Sequence, residues 1–210
     1  MGALTAIGCG DNTPTGPTNQ GPIMPLAIGN TWAAKNTLFA ADGTVESINY
    51  DTLVVRGTEV IDGETWYTTN SEMMYALRPD GFWGWEHHSA AGPTLGGIYP
   101  ASVNAAFSER IIRATDMAGN MVDSVRADAV VGSTNVTVAT PAGIYSCIQY
   151  KTRYRYMDGR SFTGDFYFDG DEVNYAAPGI WFVKSEAFRK SPTGAIYLRH
   201  RSELTAVTLK

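Results

Sequence analysis

Few groups in this chain have the means to do chemistry, and they are scattered. Two adjacent histidines, His87 and His88, close the run FWGWEHH; a third, His200, lies far downstream, and the cysteines are Cys9 and Cys147. Four acids, Asp165, Asp169, Asp171 and Glu172, crowd the run DFYFDGDE, while YKTRYRYMD interleaves Lys151, Arg153 and Arg155 with tyrosines. Such residue types serve metal binding, proton transfer, nucleophilic attack or glycoside cleavage when their spacing brings them together.

The spacing argues against each of these. Neighbouring histidines on a strand point to opposite faces and cannot chelate one metal, and no HExxH pattern or second cysteine stands near them. The acidic run does not follow the calcium-loop order of ligands, so it reads as a solvent-facing turn. No G-x-S-x-G elbow occurs, and Cys147 falls in a strand, where a thiol is a small buried hydrophobe; a bond to Cys9 through a flexible arm is the minor alternative. The expectation is a non-enzymatic protein with no metal and no cofactor.

Binding is the better-supported chemistry. Alternation places Lys151, Arg153 and Arg155 on one strand face, and Arg199 and Arg201 repeat the pattern on a later strand. If those strands are neighbours, a basic stripe forms that suits anionic headgroups or an acidic protein; otherwise the cations belong to a solvated outer face whose stems cover apolar surface. Five Trp and eleven Tyr supply contact surface, with Trp83 and Trp85 on one face and Trp181 in APGIWFVKSE as candidate partner contacts. Nucleic acid is not an expected partner: the net charge is −5, with 4 basic against 11 acidic residues in 1–110 and 12 against 10 in 111–210.

Stepping along the chain, residues 25 onward show period-2 alternation rich in β-branched and aromatic side chains and no helical repeat. The fold class is all-β, an antiparallel meander curled into a partial barrel or two-layer sandwich with little helix. Asp-Gly pairs at 42–43, 62–63, 80–81, 158–159 and 169–170 predict tight hairpins. Strands are expected at 45–56 and 58–70, at 121–131 and 134–140, and at 162–169, among others, with a long irregular loop over 90–107 holding a helical turn after Pro100.

The beginning of the chain is different. ALTAIGC, ending at Cys9, resembles the lipobox of bacterial lipoproteins, which makes residues 1–9 the remnant of a signal peptide and Cys9 the lipidation site. Residues 10–22, rich in Thr, Pro, Gly and Asn, read as a disordered tether, and 23–210 as a single β domain. Three further blocks, PLAIGNTW (Pro25–Trp32), VATPAGIYSCIQYK (Val138–Lys151) and YAAPGIWFVKSE (Tyr175–Glu186), resemble those of a widespread group of uncharacterised bacterial lipoproteins with PLxxGNxW, PAGxF/Y and APGVGxVK blocks. Trp181 stands where that group has Gly. The resemblance implies an exported β-rich domain, periplasmic or at the cell surface, anchored in the inner or outer membrane by acyl chains. A non-enzymatic interaction or accessory role then leads, for instance a peripheral subunit docked on a larger membrane protein complex. A carrier of lipid or another apolar ligand inside a curled sheet is the alternative.

Overall fold

A computed structural model describes residues 22–86, 92–115, 121–156, 171–191 and 193–210; at 108–115, 121–125, 155 and 156 it describes the backbone. Cys9, His87 and His88, the expected strand 162–169 and the Asp-Gly pairs at 158–159 and 169–170 lie outside the described residues.

The described residues form twelve antiparallel strands in one sheet that curls into a nearly closed barrel. The first half comprises β1 (Thr31–Phe39), β2 (Val45–Ile61), β3 (Glu64–Thr69), β4 (Met73–Arg78), β5 (Gly81–Glu86) and β6 (Thr94–Ile98). The second comprises β7 (Ala106–Thr115), β8 (Met121–Thr140), β9 (Gly143–Tyr156), β10 (Asp171–Ala177), β11 (Trp181–Lys190) and β12 (Ile196–Thr208). Each strand pairs with its chain neighbours except at the seam between β6 and β7, and β1 also pairs with β12. Side chains bridge it: the Tyr150 hydroxyl donates to the Ile98 carbonyl at 2.7 Å, and the Phe107 ring meets the Tyr150 ring at 5.4 Å.

Two long strands let the sheet curl. β2 pairs with β1 through its first part and, after a bulge at Val55 to Gly57, with β3 through its second. β8 continues through Gly132 with bulges on both sides of Ser133, so the expected break between 131 and 134 is a distortion inside one ladder. The break expected at residue 57 is likewise a bulge, and the chain reverses at Asp62-Gly63, whose φ angles of 51° and 80° make a two-residue hairpin. The pair at 80–81 is displaced by one: Arg78 faces Gly81 across the ladder, leaving Pro79 and Asp80 as the turn, because proline is preset for that position. The irregular loop expected over 90–107 contains β6, and no helix forms after Pro100.

One end of the barrel is sealed. Residues 22–30 fold across it and bury Ile23 and Met24 in the main core with Trp32, Val183 and Leu204. Asn30, fully buried, donates from Nδ2 to the Pro25 carbonyl at 2.7 Å and accepts the Lys210 N–H on Oδ1 at 2.8 Å. A smaller cluster of Trp66, Met74 and Ala76 lies apart from this core.

Candidate functional site

The three sequence blocks converge on the sealed end. Gly29, at φ 89°, donates to the Val55 carbonyl at 2.9 Å, and the Trp32 indole N–H donates to the Ile180 carbonyl. Gly179, at φ 80°, donates to the Pro22 carbonyl at 2.9 Å, and Ala142 donates to Leu204 at 3.1 Å. The first and third blocks therefore hold the N-terminal segment against strand ends, and the second ties the β8–β9 turn to β12. They close the barrel, as hydrogen-bonded backbone must when it is buried.

Trp181 enters from this end. It follows the Pro178-Gly179-Ile180 turn and sits at φ 101°, a left-handed backbone that suits glycine and strains other residues. Its ring packs edge-to-face on Trp32 at 5.6 Å and on Tyr75 at 5.5 Å, inside the barrel. The indole nitrogen is buried without an acceptor among the described residues.

Beyond Trp181 the interior is not filled. A cavity of about 200 Å³ lies between the β4–β6 strands and β8–β11, and its walls include Tyr75, Phe82, Tyr150, Trp181 and Phe182. Phe82 and Phe182 meet edge-to-face at 5.4 Å. Phe82 has room because Gly96 and Gly97 carry no Cβ; one at either position would come within 2.5 or 2.8 Å of the ring. Burial pushes the Tyr75 hydroxyl up to about 12 and raises that of Tyr150 further, so both stay protonated donors.

A polar group stands at the other end of these walls. The Glu172 carboxylate accepts from the Tyr154 hydroxyl at 2.9 Å and from the Asn174 amide at 2.7 Å. Thr152, Glu172, Ala187 and His200 lie opposite one another across β9 to β12. Burial lowers the His200 pKa from its usual 6.5, against a weaker opposing pull from the Glu172 charge. Alternation on β9 and β10 explains why these side chains share the interior with Tyr150, whereas Lys151, Arg153 and Asp171 line a groove over Asp128 and Val130 that shares Thr152. Sequence reasoning grouped Glu172 with the exposed acids. The signal that separates it is the odd-even alternation of Asp171 and Glu172 on one strand.

The expected basic stripe does not assemble as drawn, because β10 and β11 separate β9 from β12. Arg153 pairs with Asp171 at 3.2 Å, Arg201 with Glu186 at 3.1 Å, and Arg199 with Glu46 and the Phe39 carbonyl. Lys151 is exposed on the same ladder row as Glu186 and Arg201, with Val173 between; the Arg155 side chain lies outside the described residues. Trp83 and Trp85 do share a face, packed on the small cluster: Trp85 meets Trp66 edge-to-face at 5.4 Å, and the Arg78 guanidinium lies 4.1 Å from the Trp83 ring centre. Cys147 is buried, and its thiol is pushed up to about 12. No cluster of three or more His, Cys, Asp or Glu with metal-binding geometry occurs among the described residues.

No family model matches the sequence, and no curated protein matches it. Two solved structures share the fold. One, from Bacteroides fragilis NCTC 9343, is described as "a putative exported protein with YmcC-like fold"; it has a TM-score of 0.56 and 16% identity over 89% of this chain and 98% of its own. The other, "a putative lipoprotein" from Parabacteroides distasonis ATCC 8503, has a TM-score of 0.51 and 14% identity over 90% of this chain and 99% of its own. At such identities the likeness is one of fold.

Proposed function

We propose that this protein is an exported bacterial lipoprotein, anchored through Cys9, whose barrel serves a non-enzymatic role by holding a compact, largely apolar ligand. The observation that carries the ligand reading is the interior cavity of about 200 Å³ with aromatic walls. Binding sites are typically concave and mostly apolar, with a few convergent polar groups, and Glu172, Tyr154 and Asn174 supply that polar end. The anchor reading draws on the lipobox-like ALTAIGC, on the polar tether after it and on the exported and lipoprotein descriptions of the two proteins of like fold.

Docking on a membrane protein complex is the second reading. It is favoured by Trp83 and Trp85, partly exposed beside Arg78 on a cluster separate from the main core. One preparation separates these ideas. Full-length protein is extracted from its native membranes, and its bound small molecules and partner chains are identified by native mass spectrometry. A stoichiometric small molecule lost on Ala129→Leu, which fills the cavity wall, supports the ligand reading; an empty barrel with a stoichiometric partner chain overturns it in favour of docking. Cys9→Ser should move the protein to the soluble fraction, and unchanged membrane association would sink the anchor.

A further inference from the structure

We infer that the cavity takes a compact ammonium-bearing ligand, its cation at the Glu172 carboxylate and its apolar body against the rings of Tyr150, Phe82 and Trp181. This deepens, and rests on, the reading of the cavity as a ligand pocket.

Charge is the first argument. Among the described residues that line the cavity, Glu172 is the one charged side chain, and no lysine or arginine is among them. Its hydrogen-bond donors among the described residues, Tyr154 and Asn174, are neutral, so they orient the carboxylate without cancelling its charge. An ionised carboxylate has about four acceptor sites, so lone pairs are left for a further donor. His200 does not supply a counter-charge at neutral pH, because burial favours its neutral form. Among the described residues that line the cavity no cation faces this half-buried carboxylate, and a cationic guest complements its charge.

The walls give the second argument. Tyr150, Phe82, Trp181 and Phe182 present π systems, whose faces attract cations and whose area accepts apolar groups. Their order along the barrel is set by the ladder. Tyr150 pairs with Asn174, two residues from Glu172, and Phe182 pairs with Ala176, four residues away. At about 3.3 Å per residue those steps lie roughly 7 and 13 Å from the carboxylate. A ligand with its cation at one end and a short apolar body is therefore matched from end to end. A zwitterionic lipid headgroup is not, because its phosphate would come to lie beside Glu172, like charge against like.

Titration calorimetry on the purified chain tests this with phenethylammonium, its neutral counterpart 2-phenylethanol, its anionic counterpart 3-phenylpropionate, and phosphatidylethanolamine in mixed micelles. The expected result is a preference of roughly tenfold for the ammonium over the neutral compound, no binding of the carboxylate and none of the lipid. Glu172→Gln should abolish the preference while leaving binding of 2-phenylethanol in place. Equal affinity for the ammonium and the alcohol in the wild-type protein overturns the cation assignment and leaves the ligand pocket standing. Binding of the lipid but not the free amine assigns the cavity to headgroups and also overturns it. If none of the four compounds binds, and Ala129→Leu changes nothing in native mass spectra, the pocket reading itself falls. The wild-type comparison needs no variant, so a poorly folding Glu172→Gln does not block the test.

Discussion

Trp181 is the residue at which backbone and side chain disagree. A φ of 101° costs a non-glycine residue about 1–3 kcal/mol, yet the ring fills space among Trp32, Tyr75 and Phe182 that nothing else occupies. Replacing a fully buried large aromatic by alanine costs about 3–5 kcal/mol; the half-buried Trp181 loses part of that, and alanine would keep the backbone strain. Glycine loses the same packing but relieves the strain. Trp181→Gly should therefore be less destabilised than Trp181→Ala by roughly 1 kcal/mol in urea unfolding, the reverse of the usual order for these two residues. If the alanine variant is the more stable of the pair, the strain is not there. The resemblance to a group with Gly at this position marked the site in the sequence, but alternation alone could not say that the ring points inward.

Among the elements, the sealed end concentrates the interactions that hold the strands in register. Asn30, itself fully buried, bonds the Pro25 carbonyl and the Lys210 N–H, so it ties the N-terminal segment to Lys210. Asn30→Ala should lower stability by about 2 kcal/mol, measured by chemical denaturation. The control is Asn36→Ala, which removes an exposed 2.7 Å bond to Asp51 and should change stability by less than about 0.5 kcal/mol. Equal effects would mean that the closure is not what Asn30 secures. Turn chemistry made the hairpin at Asp62-Gly63 legible in advance. The strand β6 was hidden because Thr94-Leu95-Gly96-Gly97-Ile98 looks like a loop. Its glycines exist to admit the Phe82 ring, a contact with a residue outside the segment.

At the scale of the whole molecule, strands far from the β6–β7 seam are bonded on both sides, so exposing their inward side chains requires breaking two ladders. Cys147 lies on β9, a central strand bonded on both sides, and is 1% exposed. With its thiol pushed up to about 12 by burial, Cys147 stays a protonated thiol at pH 8. A disulfide reagent at that pH should leave native Cys147 unmodified for hours and label it at once in denaturant. Labelling of the native protein on the timescale of a free thiol would show that β9 opens locally. Strand order explains the fate of the cationic residues. Arg153 and Arg201 sit three strands apart on the barrel, each beside its own carboxylate, so their charges are spent locally and do not sum into one field.

Alternation, turn residues and composition by themselves determined that the chain is an antiparallel β protein, that Trp83 and Trp85 share a face, and that Cys147 is a buried thiol. These are local properties: a period of two residues decides which side chains go together, whatever strand lies alongside. Only the tertiary structure decided that β1 closes on β12, that β9 and β12 are kept apart, that Trp181 fills the interior, and that Glu172 meets Tyr154 and Asn174 beside an aromatic cavity. Backbone hydrogen bonds are the same for any pair of strands, so the choice of neighbour comes from which side chains pack across the barrel, and that choice is made between residues far apart in the chain.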